Sequence, residues 1–254
     1  KGPEASALYG IDAATGAIVI TTKRGKPGRG GFEYSNAFRM DRTGARPALQ
    51  RDYGPSSVSG NTVGSFSYFG APYAPGTTFY DNVDGFFQTA WTQKHNLSFS
   101  GAAPDNRNNY RLSLSADKQE GVIPTSIYDR LTLTGATQAV VNSWLKVDLS
   151  MTYSYSNGDQ VFKGDGGPLI GLMFWPQTDD ASDWLTPAGT RNRITSLTAG
   201  GEVDNPYFNI HKNKINAKTN RIMTNVGFII APWRWGSLKS NIGVDGYTNQ
   251  NLVM

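Results

Sequence analysis

The chain has 254 residues and no cysteine, and its 24 Lys and Arg against 20 Asp and Glu give a net charge of +4 at pH 7. The absence of cysteine excludes a disulfide scaffold and thiolate metal sites or nucleophiles. The basic residues form no block, so the sequence gives no indication of a nucleic-acid partner. No stretch approaches the roughly 18 apolar residues of a membrane helix, whereas the alternating strands of a β-barrel stay compatible with this composition.

The composition favours an all-β protein. Only 38% of the residues are hydrophobic, aromatic residues make up 12%, and there are 29 glycines. This balance is typical of many strands joined by Gly, Asn, Ser and Pro turns.

The first predicted element is a strand near the start of the chain. The sequence opens with "KGPEASALYG", without an initiator Met or a signal peptide, and we interpret this as a cut end. The run "AIVITT" at positions 17–22 shows no alternation, which predicts a strand buried on both faces.

Period-2 alternation then predicts seven strands, and the last two alternate less cleanly than the others. In chain order their sequences are GFEYSNAFRMD, HNLSFSG, YRLSLSAD, RLTLTGAT, LKVDLSMTYSY, RIMTNVGFIIAPW and GSLKSNIGVDGYT. In the fifth, Leu149 and Met151 share a face and Lys146 and Asp148 lie on the other, a separation that only a strand produces.

The connections between these strands alternate between short and long. "AAPDN", "QAVVNS" and "PWRWGS" are short, whereas the loops at about 42–92 and 157–218 are very long and "KQEGVIPTSIY" is intermediate. In an up-and-down antiparallel sheet all short turns lie at one end and all long loops at the other. This arrangement is typical of outer-membrane barrels and rare in compact soluble domains.

Several motifs in order resemble one family. "KGPEASALYG" followed by "ATGAIVITTKRGK" looks like the end of the plug domain of a TonB-dependent outer-membrane receptor. "QKHNLSFSG", "YRLSLSADKQEGVI", "WLKVDLSMTYSYSN" and "NPYFN" are similar to the first barrel strands of the SusC/RagA group. The plug motif that carries the first resemblance consists of Gly2, Pro3, Tyr9, Gly10 and Gly16.

The resemblance implies a fold and a function. Residues 1–25 are expected to end a plug domain, and residues 26–254 to form the first strands and loops of a transmembrane antiparallel β-barrel. Such transporters have about 22 strands, and because seven cannot close a barrel, we expect a fragment. The complete protein would reside in the outer membrane of a Gram-negative bacterium, in contact with its lipid. It would import oligosaccharides or peptides beneath a SusD-like surface lipoprotein, with TonB contacting a segment absent from this chain.

The loop "KGDGGPLIGLMFWPQTDDASDW" contains the candidate ligand-binding residues: Phe174, Trp175, Asp179, Asp180 and Trp184. Aromatic rings pack against the C–H faces of sugars or against peptides, and carboxylates accept hydrogen bonds from hydroxyl groups. The alternative is that these aromatic residues anchor a long loop to the barrel interior.

No catalytic, cofactor or metal site is expected. His95 and His211 are the only histidines and show no ligand spacing. Asp165 begins a stretch that lacks the spacing of a calcium loop, and no Gly-x-Ser-x-Gly nucleophile element is present.

Two alternative functions stay open at this point. A passive porin or adhesin barrel would share the strands and loops but lack the plug tail. A soluble carbohydrate-binding β-sandwich would have short connections at both ends and one apolar face turned towards a core.

Overall fold

The computed structural model describes most of the chain, and its helices are short. The described residues are 30–46, 48–56, 58–59, 62–63, 69–105, 107–193 and 204–254, with isolated positions before residue 30. In these parts of the chain no helix is long and apolar enough to cross a membrane. The predicted strand at 17–22 lies outside the described residues.

One antiparallel sheet of seven strands forms the body of the molecule. Each strand pairs with the one before it in the chain, and the sheet is open, with β1 and β7 at its edges. The strands are β1 (Gly31–Asp41), β2 (Ala90–Ala102), β3 (Asn108–Glu120), β4 (Ile127–Val140), β5 (Leu145–Val161), β6 (Lys214–Trp233) and β7 (Gly236–Val253). All seven predicted strands and their up-and-down order are confirmed. A separate small ribbon pairs Val58–Ser59 with Thr62–Val63.

The connections at one end of the sheet are the turns 103–107, 141–144 and 234–235. Those at the other end are named here L1 (42–89), L2 (121–126) and L3 (162–213). Long connections therefore collect at one end, as predicted for L1 and L3.

L2 is shorter than the sequence pattern predicted. The pairing of β3 with β4 continues to Glu120 and Ile127, so L2 is hardly longer than the turn 103–107. L3 is also shorter at both ends, because β5 continues to Val161 and β6 begins at Lys214.

One face of the sheet is a continuous apolar surface. The strand register aligns large side chains in rows that cross the sheet, and each member of the clearest row is between 36% and 59% exposed. From β1 to β6 this row consists of Tyr34, Leu97, Leu114, Leu133, Tyr153 and Ile222. An apolar surface of this extent is unfavourable in water, so the face requires an apolar environment.

The apolar stretch also shifts from strand to strand. On β5 it begins at Leu145, whereas on β1 it begins at Phe32, which the register places in the row of Met151. Strands in a barrel tilt by about 35–45° from the barrel axis, so a band perpendicular to that axis must shift along their register. The shift therefore fits a belt of lipid around a barrel.

The opposite face of the sheet is polar and internally hydrogen-bonded. The Asn96 amide donates to the hydroxyl oxygens of Ser113 at 2.9 Å and Ser115 at 2.7 Å. The Arg111 guanidinium donates to the Ser98 hydroxyl at 2.8 Å. Polar side chains of this kind line the interior of membrane barrels.

Two glycines of the plug motif lie within the described residues. Gly10 has a φ of 86° and Gly16 a φ of 127°, values that favour glycine because a side chain would be strained there. The Gly10 amide donates to the Ser6 carbonyl at 2.9 Å. Gly2, Pro3 and Tyr9 lie outside the described residues, so the plug role of the motif stays a prediction.

The two faces of β5 predict different costs for the same substitution. Leu149→Arg would place a charge in the apolar face, at about 2–4 kcal/mol near the middle of a bilayer. Ser150→Arg is the matched control because Ser150 lies on the polar face and should cost much less. The measurement is the stability of each variant of the full-length protein against denaturant in lipid vesicles. Equal stabilities for the two variants would show that this strand has no lipid-facing side.

Candidate functional site

The three connections L1, L2 and L3 pack together into a loop cap at one end of the sheet. They meet there because antiparallel order returns every second connection to the same end. In its described residues the loop cap contains three short α-helices, α1 (Asn82–Phe86) in L1 and α2 (Pro168–Phe174) and α3 (Pro206–Lys212) in L3, and a 3₁₀ helix at Gly164–Gly166.

The sequence around each helix explains where it begins. Asp81 precedes α1, and its carboxylate accepts a hydrogen bond from the Asp84 amide at 3.2 Å. Pro168 and Pro206 occupy the first turns of α2 and α3, where the missing amide proton is not needed. Asn205 caps α3, and its side-chain oxygen accepts from the amides of Tyr207 and Phe208.

An apolar cluster joins the three connections to the sheet. Phe86 from α1, Leu172 from α2 and Ile210 from α3 are at most 2% exposed, and they pack with Val83 and with Val161 at the end of β5. Ile123 of L2 contacts the same cluster. Full burial of such side chains stabilises by about 1.5–3 kcal/mol each, so this cluster stabilises the packing of the three connections against the sheet.

Two buried asparagines, Asn82 of L1 and Asn205 of L3, bond to the backbone of Ala181 in L3. Asn82 accepts a hydrogen bond from the Ala181 amide at 3.0 Å and donates to the carbonyl oxygens of Asp179 and Pro176. Asn205, with no exposed surface, donates to the Ala181 carbonyl at 2.9 Å. The segment around Ala181 therefore depends on side chains that are distant in the sequence.

Trp175 lies inside the loop cap rather than on its surface. It is 4% exposed, packs with Ala181 and Tyr207, and donates from Nε1 to the Asp179 carboxylate at 3.0 Å. This position favours the anchoring interpretation for Trp175 over direct contact with a ligand. Phe174, at the end of α2, is half-buried.

Trp184 belongs to a second aromatic group that is partly open. Its ring stacks on that of His211 at a centroid distance of 5.0 Å and meets Phe208 edge-on at 6.0 Å. The Arg191 guanidinium lies 5.4 Å from the centre of the Phe208 ring and also pairs with Asp204. Together these residues form a surface of ring faces and charges that can contact a sugar or a peptide.

Burial and neighbouring charges change the acid–base behaviour of this region. Burial raises the pKa of Asp179, the hydrogen bond from Trp175 opposes that rise, and the carboxylates of Asp180 and Asp183 add to it. Burial lowers the pKa of His211, and Lys214 and Lys212 lower it further. Both effects favour the neutral form of the imidazole beside Trp184.

The structure separates the five candidate residues into two groups. Trp175 and Asp179 are hydrogen-bonded to each other, and Trp175 packs against Tyr207 of α3. Trp184 contacts other residues of α3, His211 and Phe208. Asp180 accepts hydrogen bonds from the amide and hydroxyl of Ser182 and so closes its own turn. A ligand role for all five stays a prediction.

The sequence pattern did not identify His211, Arg191 and Asp204 as members of this region. The one available signal was "NPYFN", because Asn before Pro indicates a helix start, which places His211 in the last turn of α3. Over the described ranges, no group of three His, Asp or Glu side chains is positioned to hold a metal ion.

Comparison with known proteins finds TonB-dependent receptors. No protein-family model matches the chain. It is 27% identical to the TonB-dependent receptor SusC of Bacteroides thetaiotaomicron over 179 residues, which are 68% of this chain and 17% of that protein. It is 24% identical to TonB-dependent receptor P3 of Formosa agariphila over 213 residues, which are 82% of this chain and 20% of that protein. The chain thus spans about a fifth of the length of these relatives.

The fold of this chain resembles that of solved structures. The RagAB peptide importer in its "closed-closed" state aligns with a TM-score of 0.69 and 18% identity, over 96% of this chain and 31% of that chain. In its "open-open" state the TM-score is 0.59 and the identity 16%, over 91% of this chain and 29% of that chain.

The chain is therefore related to the TonB-dependent receptors of the SusC/RagA type, as its motifs indicated. Its seven antiparallel strands have the fold of part of a TonB-dependent receptor barrel. The relatives are named as receptors and importers, not as enzymes.

The hydrogen bonds of Asn82 predict that its removal loosens the loop cap. Asn82→Ala removes the side-chain partner of the Ala181 amide and of the Asp179 carbonyl, whereas the Pro176 carbonyl keeps its bond from the Asp179 amide. A buried unsatisfied group costs about 1–3 kcal/mol. Hydrogen exchange at residues 175–183 should become faster. Thr77→Ala is the control, because its hydroxyl bonds only to the nearby Ala74 carbonyl. Unchanged exchange in Asn82→Ala would mean that L3 holds its shape without L1.

The raised pKa of Asp179 predicts a pH effect. The folded loop cap holds this proton more tightly than the unfolded chain, so the carboxyl group favours folding most below its ordinary pKa of 3.8. That contribution is lost as the pH rises through the raised value. Asp179→Asn keeps an acceptor for Trp175 and removes the charge, so it should slow exchange at residues 175–183 at pH 7. The variant and the wild type should converge below about pH 3.8, after correction for intrinsic exchange rates; a difference independent of pH would contradict this assignment.

Proposed function

We propose that the protein containing this chain is a TonB-dependent outer-membrane transporter that imports oligosaccharide or peptide nutrients together with a SusD-like lipoprotein. The observation that supports this most is the seven-stranded sheet, apolar on one face and polar on the other, which aligns with the RagAB peptide importer over 96% of the chain. No step of this function requires a cofactor or catalysis.

The loop cap gives the proposed ligand site its position. It lies at the end of the sheet that carries L1 and L3, which in an outer-membrane barrel is the extracellular end. Ligand would meet the partly open surface around Trp184, while Trp175 and Asp179 would keep L3 in place. The lipoprotein partner would cover this end of the barrel.

A plug domain would favour import driven by energy rather than by diffusion. In this proposal residues 1–25 end a plug domain that fills the lumen, and residues 26–254 belong to the barrel. A filled lumen passes a large ligand only when the plug moves, and the outer membrane has no ion gradient of its own to drive that movement. TonB would couple the proton gradient of the inner membrane to the plug.

The two alternative functions fit the observations less well. A porin or adhesin barrel would not need the motif that ends at Gly16. A soluble β-sandwich needs a second layer over its apolar face, and in the described part of the chain that face is exposed on all seven strands.

The proposal predicts that uptake requires TonB whereas surface binding does not. The experiment uses cells whose only route for the ligand is the full-length receptor. A protonophore or deletion of TonB should stop uptake and leave surface binding unchanged, and deletion of 164–184 should weaken binding. Undiminished uptake without TonB would exclude the transporter and leave the porin interpretation.

A further inference from the structure

A cavity of about 560 Å³ lies between L2 and the beginning of L3. Val122 and Ser126 line it from L2, Phe162 and Lys163 from the start of L3, and Leu169 from α2. Ligand pockets are typically about 300–1,000 Å³, mostly apolar, with a few polar groups that orient the ligand. This cavity has that size and that composition.

Both turns that form the cavity have backbone in the left-handed region. Gly164 has a φ of 68°, which glycine adopts without strain, but Thr125 has a φ of 67°. A β-branched residue in this region is an outlier, and such strain persists only where surrounding contacts impose it. Strained positions of this kind concentrate at binding sites.

The contacts that impose the strain come from the loop cap. The Thr125 hydroxyl donates to the Ile210 carbonyl of α3 at 2.7 Å, and the Gly121 amide donates to the Ser126 carbonyl at 2.8 Å. Ile123, between them, packs into the apolar cluster. The cavity wall is therefore fixed in advance by α3 and does not depend on a ligand for its shape.

The lining discriminates between classes of ligand. Sugar hydroxyls placed against Val122, Phe162 and Leu169 would lack hydrogen-bond partners, which is costly. An apolar side chain would instead bury its surface there. Lys163 is the one charged side chain among the lining residues and is exposed, so it can pair with a carboxylate at the mouth of the cavity.

The cavity lies at the end of β5 where the strand runs into L3. Gln160 and Val161 both line it, although strand alternation places them on opposite faces of the sheet. The cavity therefore belongs to the end of the sheet that carries L1 and L3.

We propose that this cavity binds an apolar side chain of a peptide ligand and that Lys163 pairs with a carboxylate of the same peptide. This inference rests on the proposed function and narrows its ligand from oligosaccharide or peptide to peptide.

The test uses the purified full-length receptor and a mixture of a tryptic casein digest and maltodextrins, with bound species identified by mass spectrometry. The wild type should retain peptides with Leu, Ile or Phe and no maltodextrin. Leu169→Asp should lower the affinity for these peptides by roughly tenfold or more. Met173→Asp is the matched control, because Met173 lies on the same helix, is also 45% exposed and does not line the cavity; it should change the affinity less than about twofold.

A second pair of measurements tests the proposed pairing of Lys163 with a carboxylate of the peptide. Lys163→Glu should weaken binding of the retained peptides but not of the same peptides with amidated C-termini and no acidic side chain. Leu169→Gln is a milder variant in case Leu169→Asp assembles poorly, and the heat-dependent gel mobility of folded barrels identifies assembled receptor.

Several outcomes overturn the inference. The wild type could retain maltodextrins in place of peptides, or retain neither. Alternatively, Leu169→Asp and Met173→Asp could bind the peptides with equal affinity. If Leu169→Asp leaves TonB-dependent peptide uptake unchanged, the cavity is not the binding site, but the proposed function still holds. Uptake without TonB would instead remove the proposed function.

Discussion

The whole structure depends on one constraint on its strands. Their two faces meet different surroundings, yet every backbone amide and carbonyl must stay hydrogen-bonded. Lipid offers no hydrogen bonds to an amide or a carbonyl, so a strand can face it only when both neighbours complete its ladder. The long, nearly unbroken pairing of β2 to β6 meets that condition. The side chains then divide by alternation, with Leu149 and Met151 on the apolar face and Ser150 on the polar one.

The same antiparallel pairing explains why the loop cap exists. It returns L1, L2 and L3 to one end of the sheet, where their apolar residues cannot be covered by the sheet alone. They cover one another instead, through Phe86, Leu172 and Ile210. The order of the strands thus brings together the loops that form the site around Trp184 and the cavity beside Leu169. The loop residues determine the chemistry of both.

The sequence predicts the strands well where the two faces differ in polarity and poorly where they do not. The alternation of β5 is clear up to Tyr155, but the strand continues to Val161. Likewise β6 begins at Lys214, seven residues before the predicted segment, in the polar stretch "KINAKTN". In the proposed barrel such ends extend beyond the lipid, where both faces meet polar surroundings and the pattern loses its period. Pairing with the neighbouring strand, not hydrophobic alternation, keeps them extended.

The loop cap was not predictable in this way because its determining contacts join distant positions. Asn82 bonds to the Ala181 amide across ninety-nine positions, and Thr125 bonds to the Ile210 carbonyl across eighty-five. Neither pair has a local signature. The bond between Trp175 and Asp179 spans only four positions, yet its meaning depends on the burial of Trp175, which sequence spacing does not reveal.

These long-range bonds also determine how the loop cap can move. Separating L1 from L3 would expose Phe86 and Leu172 and break every hydrogen bond of Asn82 at once. Because these contacts are lost together, the three connections open as one unit rather than separately. Thr125 extends this unit to L2 through α3, so the strained turn, the cavity wall and the aromatic surface of α3 share one set of contacts. A ligand that binds in the cavity would therefore stabilise the whole loop cap, and a partner that displaces α3 would release the strain at Thr125 and change the cavity.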